Sequence, residues 1–159
     1  MAASKGKCFD PRTDSKVKTP EENGKSVIFL NSQGATVLLV HADRYCRKGR
    51  SDCTDCFFEK DQKVADYIVS KPGIVDVIVE LKGTDVMAAV EQIEATIRTW
   101  NVHERCTGKI GALIVSSKGG AHPKVVAKFL IKQEQFKKRG IKLRRVTDPS
   151  PTFEFPAFV

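Results

Sequence analysis

The chain has 159 residues, 41% of them hydrophobic, which is enough for one ordinary core and little more. No run approaches the roughly 18 to 20 apolar residues of a membrane span, and the N-terminus has no continuous apolar signal core, so the expected protein is soluble, intracellular and cytoplasmic. The formal charge of +8 is unevenly placed: residues 109–145 hold 11 Lys and Arg against the single acid Glu134, leaving −2 for the rest, a distribution that suits a polyanionic partner.

In chain order, residues 1–25 are rich in Lys, Pro, Ser, Asp and Glu without an apolar period, and read as a loose arm, irregular or partly helical. Ser26–Asn31 and Ala35–Val40, separated by the turn-like Ser32-Gln-Gly34, predict a β-hairpin. A polar loop with cysteines fills 41–56. A second hairpin follows from about 57 to 83, turning at Lys71-Pro-Gly73. Thr84 to Trp100 is the clearest helix: Thr84 can cap it, Asp85 suits its first turn, and Val86, Val90, Ile93, Ile97 and Trp100 form one apolar stripe. Lys109–Ser116 is nearly continuous in apolar residues, as in a parallel strand covered on both faces. A helix entered through His122-Pro123 runs to about Arg139 and stops at Gly140. Ile141–Val146 closes the core as a last strand, and 147–159 remains as a tail. The pattern predicts one α/β domain over 26–146, with a central mixed β-sheet flanked by helices.

The chemistry concentrates in Val75-Asp-Val-Ile-Val-Glu-Leu-Lys-Gly83. Alternation along a strand sends Glu80 and Lys82 to one side and Val75, Val77, Val79 and Leu81 to the other. Asp66, in the run Val64–Val69, faces them across the predicted hairpin, giving Asp-x13-Glu-x-Lys. Two carboxylates can hold a hard cation such as Mg²⁺, and a lysine beside them can position a water for attack on a phosphodiester. Asp76 shares the face of Glu80, but four residues of strand separate them by about 13 Å, too far for one ion.

Asp66, then Glu80-Leu-Lys-Gly83, then a helix from Thr84, resembles the PD-(D/E)XK nuclease superfamily, which includes restriction endonucleases and Holliday-junction resolvases. The resemblance covers roughly residues 26–146; Ala65 stands where the family pattern often has proline. It implies a restriction-endonuclease-like core, with an N-terminal helix for which only the segment before residue 26 leaves room. It also implies Mg²⁺ or Mn²⁺ ligated by Asp66, Glu80 and the carbonyl of Leu81, with Lys82 orienting the water. Gln92, one turn before Thr96, resembles the glutamine that several branches place beside the metal.

Cys46, Cys53 and Cys56 form C-x6-C-x2-C, a spacing found among zinc and iron–sulfur ligands. A structural Zn²⁺ would need a fourth ligand from Cys8, His41, His103 or Cys106, among which the spacing does not choose, and plain thiols fit the pattern as well. In the second helix Lys124, Lys128 and Lys132 repeat every fourth residue and, with Lys137, Lys138, Arg139, Arg144 and Arg145, make the expected phosphate-contacting surface. The expected function is that of a metal-dependent nuclease acting on DNA, with RNA as an alternative substrate, as a homodimer or within a larger protein complex. A catalytically idle nucleic-acid-binding subunit of the same fold, or a zinc-stabilised adaptor, are the alternatives.

Overall fold

The computed structural model describes residues 8–43, 62–102, 108–118 and 122–159. Among the described residues nine strands and two helices follow one another as β1 (Phe9–Arg12), β2 (Lys16–Lys18), β3 (Ile28–Leu30), β4 (Val37–His41), β5 (Tyr67–Lys71), β6 (Val75–Leu81), α1 (Val86–Val102), β7 (Lys109–Val115), α2 (Pro123–Lys138), β8 (Lys142–Val146) and β9 (Thr152–Glu154), with a 3₁₀ turn at Phe155–Phe158. Six strands form a mixed sheet in the order β1-β4-β5-β6-β7-β8, and β2-β3-β9 form a smaller sheet. In the large sheet β1, β4, β5 and β6 pair antiparallel, while β6, β7 and β8 run parallel. The fold is thus α/β with a mixed central sheet flanked by two helices. No helix among the described residues is long and apolar enough to cross a membrane.

Strand alternation divides the core in two. Val75, Val77, Val79 and Leu81 of β6 meet Val17, Val27 and Phe29 of the small-sheet region together with Phe155 and Phe158. Ile78 on the opposite face meets the apolar stripe of α1 and, from α2, Phe129 and Phe136. Every residue of β6 is buried because neighbours cover both its edges and both its faces. Gly111 of β7 permits a close approach of the two layers: a Cβ there would lie 2.6 Å from that of Phe158.

The hairpin β5–β6, the strand β7, the helix α2 and the strand β8 stand where the sequence pattern puts them. Four features differ. Residues 8–25 are no loose arm: β1 is an edge strand of the large sheet, where the exposed Pro11 costs no interior hydrogen bond, and β2 joins the small sheet. The expected hairpin of 26–31 with 35–40 does not form. β3 pairs with β2 and β9, β4 pairs with β1 and β5, and the intervening turn carries the chain from one layer to the other. Asn31 steadies that crossing by donating through Nδ2 to the carbonyls of Asp14 (3.2 Å) and Ala35 (2.7 Å). Residues 147–159 are no tail, since β9 pairs in parallel with β3 and Phe155 and Phe158 are buried in the core. Finally, Asp85 rather than Thr84 caps α1, its Oδ1 accepting from the Ala88 N–H at 3.0 Å.

Candidate active site

Asp66 lies one residue before β5, and because Tyr67 pairs with Val79, the register sets Asp66 opposite Glu80. The two acids are tied reciprocally: the Asp66 N–H donates to Glu80 Oε2 at 3.1 Å, and the Leu81 N–H donates to Asp66 Oδ2 at 2.8 Å. Among the described residues these bonds leave Asp66 Oδ1 and Glu80 Oε1 as hard oxygen donors.

Burial penalises both carboxylates. It pushes Asp66 up to about 6, with Glu22 and Asp43 adding repulsion and the Leu81 N–H and Lys82 pulling the other way. Burial, then the adjacent Asp66, push Glu80 up to about 8 against the attraction of Lys82. A pair of acids held together in this way is a place where a cation is favoured, because a positive charge offsets both desolvation and mutual repulsion.

Lys82, just past the end of β6, donates through Nζ to Gln92 Oε1 at 3.0 Å. Gln92 in turn donates through Nε2 to the carbonyl of Val64 at 3.3 Å. One turn along α1, Thr96 Oγ1 accepts from the Ala65 N–H and donates to the carbonyl of Gln92, both at 2.7 Å. The helix therefore holds the segment that carries Asp66 and, through Gln92, also holds the lysine. Asp66, Glu80 and Lys82 lie together as the strand spacing predicts, and Gln92, placed beside them by the resemblance, is bonded to Lys82.

The sequence pattern does not single out the residues that approach from the small sheet. The Tyr67 hydroxyl donates to Glu22 Oε1 at 3.1 Å, and Asn23 Nδ2 donates to the Leu81 carbonyl at 2.8 Å. Both acceptor and donor sit at a tight turn bridged by Glu22 and Lys25, with positive φ at Asn23 and Gly24. The Asn23-Gly24 dipeptide is the local signal for that turn. Asp76 takes no part in the site: it is fully buried and accepts from the Ser70 hydroxyl and, at 2.9 Å, from Trp100 Nε1.

No grouping of three or more His, Cys, Asp or Glu side chains suited to a metal occurs among the described residues. The donor set is two carboxylates and the Leu81 carbonyl, one lone pair of which Asn23 already engages. That set suits Mg²⁺, which is commonly held by one or two carboxylates and otherwise keeps its waters. Cys46, Cys53, Cys56, His103 and Cys106 lie outside the described residues. Cys8 and His41 are buried side by side, the His41 N–H donating to the Cys8 carbonyl at 2.8 Å.

The basic residues do not make one surface. Lys124 and Lys128 are exposed on α2, but Lys132 is half-buried with its Nζ 3.4 Å from Glu94 Oε1. Arg144 lies over the rings of Phe153 and Phe158, with its guanidinium carbon 5.0 and 5.8 Å from their centroids. Arg145, its neighbour on β8, donates through Nε to Ser116 Oγ at 2.8 Å. Adjacent strand residues face opposite sides of a sheet, so these two arginines cannot contact the same stretch of a ligand as a pair.

Comparison of the chain with family models, curated proteins and solved structures finds no match in any of the three.

Proposed function

We propose that the chain is a metal-dependent nuclease of the PD-(D/E)XK type, with a restriction-endonuclease-like core, hydrolysing phosphodiester bonds in DNA. The observation that carries this reading is the reciprocal Asp66–Glu80 pair at a strand end with Lys82 beside it. Asp66, Glu80 and the Leu81 carbonyl would hold Mg²⁺ or Mn²⁺, which when bound supplies a Lewis acid for the phosphoryl oxygens. Gln92 fixes the ammonium of Lys82, whose remaining N–H groups orient the attacking water and face the charge that develops on phosphorus-bound oxygen. Asn23 fixes the Leu81 carbonyl, and the Leu81 N–H fixes Asp66, so both acids reach the reaction with little rearrangement.

The test is cleavage of plasmid, branched DNA and RNA with Mg²⁺ or Mn²⁺. Activity should fall by about a hundredfold or more in each of Asp66→Asn, Glu80→Gln and Lys82→Ala, since such groups act as a unit. Activity surviving in two of the three variants refutes the assignment. A wild type that binds DNA and cleaves none of these substrates would instead be an idle binding subunit.

A further inference from the structure

The parallel strands β6, β7 and β8 end at one edge of the large sheet, and the backbone there is pinned together. The Lys82 N–H donates to the Val115 carbonyl at 2.8 Å, the Ser116 N–H to the Val146 carbonyl at 3.0 Å and the Ser117 N–H to the Gly83 carbonyl at 2.8 Å. Alternation sets which side chains share a face. Ile78, Ile114 and Leu143 pack with the helices, so Glu80, Ser116 and Arg145, each two residues further on, lie on that same face. Lys82, two residues beyond Glu80, lies there too and meets Gln92 of α1. Neighbouring strands are about 4.8 Å apart, which sets Arg145 on β8 roughly 10 Å across the edge from Glu80 and Lys82, with Ser116 between them.

Arg145 is half-buried and Ser116 is fully buried. Arg145 Nε donates to Ser116 Oγ at 2.8 Å, and among the described residues no carboxylate pairs with the guanidinium, so Nη1 and Nη2 present the planar fork that suits a phosphate. Charge is distributed unevenly around the site. Towards β5, Glu22 and Asp43 add negative charge beside Asp66, whereas β7 and β8 bring Lys118 and Arg145 to the other side. Asp148, the acid next along the chain from Arg145, turns its Oδ1 to the Ser150 N–H at 2.9 Å. We infer that Arg145, positioned by Ser116, binds a substrate phosphate flanking the one cleaved, so that the nucleic-acid backbone crosses the carboxyl ends of β6, β7 and β8 from the Asp66–Glu80 pair toward β8. The carboxyl ends of strands are where open α/β sheets bind their ligands. Arg144, on the other face over Phe153 and Phe158, takes no part. This subsite rests on the nuclease reading and adds to it the course of the substrate and a positioning residue, Ser116, that no charge pattern singles out.

The experiment uses the full chain in two assays: kcat and KM for plasmid cleavage in Mg²⁺, and a salt titration of binding to a duplex oligonucleotide in Ca²⁺. Arg145→Gln keeps an amide to donate to Ser116 but no charge. It should raise KM about tenfold with kcat within about threefold of wild type, the pattern of binding lost away from the reacting bond, and flatten the log–log salt slope by about 0.9. Arg145→Lys should keep the wild-type slope, because its charge remains, while losing part of the affinity with the fork. Ser116→Ala should raise KM about threefold at an unchanged slope, as expected of a residue that acts by holding the guanidinium. Arg144→Gln should match wild type in both assays. A wild-type slope and KM in Arg145→Gln overturn the inference, as does equal flattening by Arg145→Lys, which would make the effect structural. Asp66→Asn checks the nuclease reading separately. If it cleaves normally while Arg145→Gln flattens the slope, that reading fails and the phosphate contact stands; if it is inactive while Arg145→Gln matches wild type, the reading stands and the subsite fails.

Discussion

Glu80→Gln isolates what it costs the metal-free protein to hold two carboxylates together. Glu80 rises from 4.5 to about 8 and Asp66 from 3.8 to about 6, both first through burial. The folded protein therefore binds protons at these groups more tightly than the unfolded chain does. Stability attributable to the pair is fully present below about pH 4 and is lost as the pH rises through 6 toward 8. A tenfold difference in proton affinity is worth about 1.4 kcal/mol, so Glu80 alone accounts for a loss on the order of 4 kcal/mol by pH 8. Glutamine keeps an oxygen to accept from the Asp66 N–H while removing the charge. Thermal or urea unfolding at pH 5, 6.5 and 8 should show the variant close to wild type at pH 5. At pH 8 it should be more stable by roughly 2 to 4 kcal/mol, or about 5 to 12 °C in Tm for a domain of this size. Millimolar Mg²⁺ or Mn²⁺ should raise the Tm of wild type at pH 8 and leave the variant unmoved. A variant no more stable than wild type at pH 8, in the absence of divalent cation, would refute the electrostatic reasoning.

The buried Asp76 makes a contrasting case, because its partners are structural. Asp76→Ala strands the indole N–H of Trp100 in the core and should cost about 2 to 3 kcal/mol in urea unfolding, with kcat unchanged in whatever fraction stays folded; a variant as stable as wild type would show that the bond carries no weight. DNA binding in Ca²⁺, followed as a salt titration, should have its log–log slope flattened by about 0.9 for each phosphate left unneutralised when Lys124 and Lys128 become Ala. Adding Lys132→Ala should flatten it no further, since that ammonium is already beside Glu94; an unchanged slope in the double variant would mean that α2 does not meet the phosphates.

What the sequence makes legible follows from where the pairing partners lie. From β5 to β8 each element has a sustained period and its neighbours follow closely in the chain, so hydrophobic alternation and the helical stripe of Val86, Val90, Ile93, Ile97 and Trp100 suffice. Asp66, Glu80 and Lys82 inherit that legibility because they lie within one hairpin, whereas Gln92 on the helix after it is expected there only through the family resemblance. The small sheet is different. Lys16-Val-Lys18 and Thr152-Phe-Glu154 are three-residue strands with too little period to register, and β9 finds β3 across more than a hundred residues of chain. Strands β3 and β4 have the alternation and the turn of a hairpin, yet enter different layers, a choice that depends on the Phe155 and Phe158 side of the core. Glu22 and Asn23 reach the site through the same long-range sheet, so only the Asn23-Gly24 turn betrays them locally.

Whether Asp66 and Glu80 share a divalent cation is decided by anomalous diffraction from crystals soaked in Mn²⁺. A peak should lie within about 2.6 Å of a carboxylate oxygen of each residue and be lost in crystals of Glu80→Gln. Well-ordered Asp66 and Glu80 side chains with no peak between them at saturating Mn²⁺, or a peak unaffected by Glu80→Gln, would contradict it.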